Sequence, residues 1–335
     1  MLTASAIAAA FAPIADEDAW LIAVSGGPDS LALLHMASAW AAGHPRVGLF
    51  AATVDHGLRP ESSAEARIVA SHCASLGVPH AILPWEGPKP KTRLQERARE
   101  ARYALLFQEA RRRGARVVLT AHHADDQAET ILFRLARGSG VAGLAGMGAV
   151  TKVHGAALVR PLLDVPKAAL IAYCHKHGIA AIDDPSNRDV KYARARLRKL
   201  TPLLAAEGLD AATFSRFARR MRRAEEALQA ETARLLAHLG DGPAYAGASL
   251  LDAPAEIALR ALGALFARAQ GPDASAPGLD KLEALEAKLR GALGDRKRLR
   301  LNVGGVELIA SADGRVTLGP ESPRRQPLDQ SVAAH

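Results

Sequence analysis

Three polar strings in the chain carry residue types that can do chemistry. They are Ser25-Gly26-Gly27-Pro28-Asp29-Ser30, Asp55-His56-Gly57-Leu58-Arg59 and the segment from His122-His123 through Asp125-Asp126 to Glu129. In the first string, two glycines let the backbone approach an anion closely, with its N–H groups turned inward. A helix opening near Ser30 adds the partial positive charge of its N-terminus. Ser25 and Ser30 bring hydroxyl donors. Asp29 is out of place beside a phosphate unless a divalent cation bridges the two, and Mg²⁺ binds through one or two carboxylates together with phosphate oxygens. The GxxxxGK(S/T) spacing is missing, so this is not a Walker-type loop. The bland alternative is a simple strand-to-helix turn. Gly-Gly turns are common, but the full six-residue string after a buried strand is not.

In the third string, Asp126 and Glu129 stand three residues apart, on one face of a helix. His122 can donate to a phosphate or assist proton transfer. Asp125 reads equally well as an N-cap, and His123 reads more readily as a packed histidine than as a site residue.

These strings need elements to hold them. Residues 20–25 form a buried-strand pattern, 31–40 a helix, and 47–54 a second strand that ends at Asp55. A helix over 62–76, a strand over 80–83, a charged helix over 92–113, a strand over 117–120 and a helix over 124–136 follow. Repeated strand–helix alternation predicts right-handed crossovers and a parallel sheet flanked by helices, an α/β fold. All three polar strings then fall at the carboxyl edge of that sheet, where open α/β sheets bind ligands. Beyond a Gly-rich loop at 138–144, helices are expected over 166–177 and 192–204. Residues 211–292 read as mainly helical, and 299–302, 306–310 and 315–318 as short strands. The resulting division is a catalytic domain over 1–207, a mainly helical C-terminal domain over 208–320 and a loose tail over 321–335.

The chain has 335 residues and a formal charge of +8, enough for two domains and a large core. Arginine greatly outnumbers lysine, which suits bidentate phosphate contacts. Composition bias explains that excess about as well. The only cysteines, Cys73 and Cys174, form no CxxC pair and no disulfide framework, so a reducing cytoplasm is the expected location. The apolar residues 4–12 lack a basic leader and read as a short helix. No apolar run is long enough for a membrane span.

The string Ser25-Gly26-Gly27-Pro28-Asp29-Ser30 resembles the PP-loop signature of the N-type ATP pyrophosphatases. The segment Thr120-Ala121-His122-His123-Ala124-Asp125-Asp126-Gln127-Ala128-Glu129-Thr130 resembles the HHxxDxxET segment of the tRNA(Ile)-lysidine synthetase family. The likeness extends to Asp55-His56-Gly57-Leu58-Arg59, Arg99 with Arg102-Tyr103, Arg137 through Leu144, Arg160-Pro161-Leu162-Leu163 and Asp184-Pro185-Ser186-Asn187. It covers residues 20–204. It implies a PP-loop, adenine nucleotide alpha hydrolase-like domain followed by a helical tRNA-binding domain. It also implies an ATP-dependent ligase that joins lysine to C2 of the wobble cytidine, C34, of CAU-anticodon isoleucine tRNA. The adenylated base would be the intermediate, and AMP and diphosphate the other products.

Under that resemblance Ser25, Gly26, Gly27, Pro28, Asp29 and Ser30 bind ATP. Asp29, His122, Asp126 and Arg194 are catalytic. Asp29 and Asp126 hold Mg²⁺, or Asp126 positions the lysine ammonium. Arg102 and Glu129 bind substrate, with Glu129 pairing with the incoming lysine; Arg99 stays a surface candidate. The family's RNxxR pattern is broken here, because Ala195 stands in the Asn position between Arg194 and Arg196; the roles within Arg194, Arg196 and Arg198 are therefore open. Relatives that carry a further C-terminal domain are longer, so that domain is expected to be absent or reduced to the strands at 299–318. A homodimer is compatible with the family.

Basic runs at 111–113, 194–199, 216–223 and 290–300 suit an RNA surface more than chance solvation does, although any one run is usually just a solvated face. Three alternatives remain. A tRNA 2-thiolation enzyme is disfavoured by the missing CxxC pair. A non-catalytic nucleotide- or RNA-binding protein is disfavoured by the intact Asp29, His122 and Asp126. A synthetase of small metabolites has no use for basic C-terminal helices.

Overall fold

A computed structural model describes residues 2–57, 62–87, 89–90, 92–153, 155–182, 193–271 and 277–321. Residues 58, 59, 183–187 and the tail from 322 lie outside that set, as do the side chains of Arg194, Arg196 and Arg198. The chain divides into two compact units, one through Arg222 and one from Arg223.

In the first unit, helix α1 (Ala4–Phe11) and a short 3₁₀ turn precede strand β1 (Ala19–Ala23). Then come α2 (Pro28–Ala41), β2 (Gly48–Asp55), α3 (Ser62–Ser75), β3 (His80–Pro84), α4 (Leu94–Arg112), β4 (Val117–Leu119) and α5 (Ala124–Leu135). A short α6 (Val141–Leu144) leads to strands β5 (Val150–Val153) and β6 (Ala156–Val159), then α7 (Lys167–Lys176) and α8 (Ala193–Ala206). The sheet order is β3-β2-β1-β4-β6-β5. All pairings are parallel except that of β5 with β6.

β1 is buried along Trp20, Leu21 and Ile22, the continuous apolar run of a strand covered on both faces. It lies between β2 and β4, and strand order reverses there. The crevice beyond the carboxyl ends of β1 and β4 is thus the switch point of the sheet. Trp20 stacks on Trp40 of α2 with ring centroids 4.8 Å apart, which ties the strand before the glycine loop to the helix after it.

The alternation of strands and helices up to α5 matches the sequence expectation. The β5–β6 hairpin departs from it. Its residues lie next to a Gly-rich stretch and turn at Gly155, which has φ +80°. Pairing with β4 and the burial of Leu158 and Val159 make it sheet, a tertiary effect that overrides weak local preference.

Helix α9 (Ala211–Leu239) contains the division between the units. After it come β7 (Ala244–Ala246), α10 (Gly247–Asp252), α11 (Ala255–Gln270), α12 (Leu279–Gly294), β8 (Leu299–Val303), β9 (Val306–Ala310) and β10 (Arg315–Pro320). The last three strands were expected. β7 was not, and it joins them through β10 to give an antiparallel sheet in the order β7-β10-β9-β8. The second unit is therefore a sheet with its own helices. Val306, Leu308, Val316 and Leu318 pack with Leu262, Phe266 and Leu289 in one core. Within this unit, Arg260 reaches Glu225 by two bonds of 2.8 Å. That bidentate pairing holds the Glu225 carboxyl below its ordinary pKa.

Among the described residues no helix is long and apolar enough to cross a membrane.

Gly26 has φ +87°, and a Cβ placed on it would lie 2.6 Å from Cδ1 of Ile182 and 3.2 Å from Cγ2 of Val69. Gly26→Ala is therefore expected to destabilise the first unit by about 1–3 kcal/mol, read as a lowered chemical-denaturation midpoint. A midpoint equal to that of the parent chain would mean the loop relaxes at no cost.

Candidate active site

The loop 25–30 closes on itself before any ligand arrives. Ser25 N donates to Ser30 Oγ at 3.1 Å, and the Ser30 hydroxyl donates to Gly27 O at 3.0 Å. Ser30 is buried, so its hydroxyl acts within the ring of the loop. Gly27 caps α2 in an extended conformation, Pro28 occupies the first turn, and Asp29 follows. Proline at that point sacrifices no helix hydrogen bond. The loop is clamped from outside as well. Ile182 N donates to Gly26 O at 2.9 Å, and the Cys174 thiol of α7 donates to Pro28 O.

The second string meets the first at Asp29. His123 stands at the N-cap position of α5, and its backbone N–H donates to Asp126 Oδ2 at 3.1 Å. Its Nε2 lies 3.6 Å from Asp29 Oδ2 and 3.3 Å from Asp126 Oδ2, and its Nδ1 lies 3.6 Å from Asp125 Oδ2. Burial opposes a charge on this ring, but hydrogen bonds to Asp125 and Asp29 and the charge of Asp126 overcome it and raise its pKa to about 9. A contact of 3.4 Å from Asp126 N to Nδ1 would need that nitrogen bare. Such a contact is at the limit of hydrogen bonding, whereas the surrounding carboxylates act together, so the ring is an imidazolium. His123, read from sequence as packing, is thus the cation that joins the two strings.

Asp125 is not the N-cap. It sits in the first turn of α5, and its Oδ2 accepts from the backbone N–H of Lys167 at 2.8 Å. The Lys167 ammonium lies 3.7 Å from Asp29 Oδ2. Sequence reading did not single out Lys167. Its one local signal is a lysine directly after Pro166, at the start of a helix.

His122 differs from its neighbour. Its Nδ1 is 2.9 Å from Thr120 Oγ1. Burial, then the charges of Arg160, Arg99, His123 and Arg102, push its pKa down to about 3. It is a neutral imidazole across the physiological range. The Thr120 hydroxyl can donate to Nδ1, and in that tautomer the ring proton sits on Nε2. Arg102 donates to His56 Nε2 at 3.2–3.3 Å, and burial, with Arg102 and Lys89, pushes the pKa of His56 down to about 4. Arg99 lies over the Tyr103 ring. Arg160, seen in sequence only as part of an RPLL string, is buried and donates to Gly148 O and Thr151 Oγ1, and its Nε has no partner among the described residues. Among the described residues none of Arg99, Arg102 and Arg160 is ion-paired with a carboxylate. Such a cluster gives this side of the crevice a positive local field.

Glu129 is buried, at 9% exposure, one turn along α5 from Asp126. Gln127 and Arg134 hold the Gly-rich loop in place: Gln127 bonds both N and O of Met147, and Arg134 donates to Gly143 O and Gly146 O. The backbone of α8 carries Arg194, whose side chain lies outside the described residues.

For a divalent cation, Asp29 Oδ1 is buried with no partner among the described residues. Among those residues no three His, Cys, Asp or Glu side chains form a cage. That donor set fits Mg²⁺ completed by phosphate oxygens rather than an all-protein site.

The parallel sheet, the anion-ready loop at its switch point and the carboxylates beside it define a PP-loop nucleotide-binding domain, and residues 2–204 match the PP-loop domain family. The chain is 49% identical over 312 residues to the tRNA(Ile)-lysidine synthase of Methylobacterium nodulans, covering 91% of each chain. It is 46% identical over 320 residues to that of Rhodopseudomonas palustris, again covering 91% of each. The chain belongs to the tRNA(Ile)-lysidine synthase family. In fold it is similar to the U34-tRNA thiolase NcsA from Methanococcus maripaludis, at a TM-score of 0.57 and 16% identity, over 65% of this chain and 77% of that one.

Two outcomes follow for stability. His56 and His122 are neutral when folded but bind protons when unfolded, near the ordinary histidine pKa of about 6.5. The unfolded chain therefore binds more protons as pH falls from about 6.5 toward 4, and stability falls with it. His123 acts in the opposite window and loses its contribution as pH rises from 6.5 toward about 9. In thermal melts, the double variant His56→Asn/His122→Gln is expected to flatten the decline between pH 6.5 and 5; an unchanged slope would refute the assignment. His123→Ala is expected to destabilise the chain by removing the cation between Asp29 and Asp126, read as a lowered denaturation midpoint at pH 7, with the neutral His123→Asn recovering little of it. Full recovery in His123→Asn would show that capping, and not charge, is what this ring supplies.

Proposed function

We propose that this chain ligates lysine to C2 of the wobble cytidine, C34, of CAU-anticodon isoleucine tRNA, using ATP. The observation that carries the reading is the meeting of the loop 25–30 with the segment 122–129 through Asp29, His123 and Asp126 at the switch point. The names of the relatives support it over the length of both chains.

In the first step, the O2 oxygen of C34 attacks the α-phosphorus of ATP, and the bond to the leaving diphosphate breaks. The loop backbone and the N-terminus of α2 bind the phosphates. His122, a neutral donor, hydrogen-bonds an α-phosphate oxygen as charge builds there. Arg102 binds substrate phosphate, and Arg194 contacts phosphate or the adenylated base. Asp29 and Asp126 would hold Mg²⁺, which when bound would neutralise charge on the phosphates. In the second step, the lysine ε-amine attacks C2, loses a proton, and AMP departs as the C2–O2 bond breaks. Asp126 and Glu129 orient the lysine ammonium before it loses its proton. Basic residues outside this crevice bind the tRNA backbone for register. The reading includes a cytoplasmic location and accommodates a homodimer.

A 2-thiolation reading is disfavoured on chemistry. Sulfur relay needs accessible thiolates. Cys73 and Cys174 are both buried, and burial pushes the Cys73 thiol up to about 11 and raises that of Cys174.

The direct test supplies labelled lysine, ATP and CAU-anticodon isoleucine tRNA. Label is expected on the tRNA, with release of AMP and diphosphate. Release of ADP, or no transfer to that tRNA, would overturn the reading. Asp29→Ala and Asp126→Ala are each expected to lower turnover by about 10²-fold or more while tRNA still binds. Loss of tRNA binding in both would show that these carboxylates serve RNA docking instead.

A further inference from the structure

We infer that Trp85 is a stacking platform for an unpaired RNA base beside the reacting cytidine, an inference that rests on the tRNA reading above. The chain has three tryptophans. Trp20 is buried in the core of the first unit, and Trp40 packs against that core. Trp85 belongs to none of the apolar cores among the described residues. It follows directly on Pro84, the last residue of β3. Its backbone N–H donates to Asp55 O, at the end of β2, at 2.8 Å. The ring is thereby fixed at the carboxyl edge of the sheet, half-buried, without holding a core together. A large aromatic side chain in that place has its surface to offer to a ligand.

The groups around the ring indicate which ligand. The Lys89 ammonium lies 4.2 Å from the centroid of the Trp85 ring and donates to Trp85 O. The His56 ring meets Trp85 at 90°, with centroids 5.8 Å apart, and His56 Nε2 accepts from Arg102. Arg99 lies over Tyr103, 5.0 Å from its ring centroid. Three rings and three cations are thus paired side by side. That is the composition of a single-stranded nucleic-acid groove, where bases stack on aromatic faces and cations follow the backbone. The distance across the sheet selects the base. β3 lies two strands from β1, about 10 Å at the ordinary strand spacing. Trp85 is therefore too far from the loop after β1 to hold the cytidine whose O2 attacks, and close enough for a neighbour splayed out of the anticodon loop. A cation–π contact at a half-buried ring is weaker than a base stack, so the base replaces the ammonium there. Every base has a π face, so Trp85 contributes affinity and register, not choice of sequence.

The probe is the anticodon stem-loop of CAU isoleucine tRNA, an RNA oligonucleotide titrated into the full-length chain. Trp85→Ala is expected to weaken its binding about tenfold, and Trp85→Phe to restore most of the loss. The KM for tRNA is expected to rise in Trp85→Ala in parallel with the stem-loop Kd. ATP binding is expected to stay within about twofold, which certifies the fold and separates a base of the RNA from the adenine of the nucleotide. Stem-loops with a single abasic site on one side or the other of C34 complete a double-mutant cycle. At one of those positions the abasic site is expected to cost the unmodified chain as much as Trp85→Ala does, and to cost Trp85→Ala nothing further. Three results would overturn the inference: stem-loop binding unaltered by Trp85→Ala, ATP weakened as much as the stem-loop, or abasic and Trp85→Ala losses that multiply at both positions. Failure of the tRNA reading is separable. It shows as absence of lysine transfer by the unmodified chain, whereas failure of this inference alone leaves that transfer intact.

Discussion

The site depends on one buried cation among carboxylates. His123 occupies the N-cap position of α5, and its ring stands between Asp29 of one loop and Asp126 of another. Carboxylates at that spacing would repel each other and spread the two loops. The imidazolium removes the repulsion and adds directional contacts to both, while Asp125 extends the network to the start of α7. The order of the loops is thus set by charge, inside a crevice where water screens poorly.

Around this centre the charges are sorted. Asp29, Asp125 and Asp126 lie with His123 and Lys167. Arg99, Arg102 and Arg160 surround His122, which burial and their charges keep neutral. One side is rich in carboxylates and the other in guanidinium groups. Two adjacent histidines with pKa values near 9 and near 3 illustrate how neighbouring charges decide protonation more than residue type does. Under the proposed function, these fixed donors and carboxylates would leave little reorganisation for the moment of reaction.

The second unit has a different construction. Its core joins an antiparallel sheet to α11 and α12. A mainly helical domain with a few terminal strands describes its helices but not β7, whose Ala244-Tyr245-Ala246 carries no strand pattern long enough to read. Only pairing with β10, with Tyr245 opposite Val316, makes it a strand.

Local periodicity and spacing determined the α/β alternation, the glycine loop before α2 and the Asp126–Glu129 face of α5. Each depends on neighbours within a few residues, so the chain encodes it directly. Tertiary structure alone decided that β4 lies beside β1, because strand order is set by long-range packing. It decided that Asp125 binds α7 rather than capping its own helix, and that His123, not Asp125, stands at the N-cap position. It also brought Lys167 to Asp29 across more than a hundred residues, and a separation of that size leaves no trace in spacing. The residue types were legible in the sequence. Their charges and partners were not, because protonation and pairing depend on which groups folding places within a few ångströms.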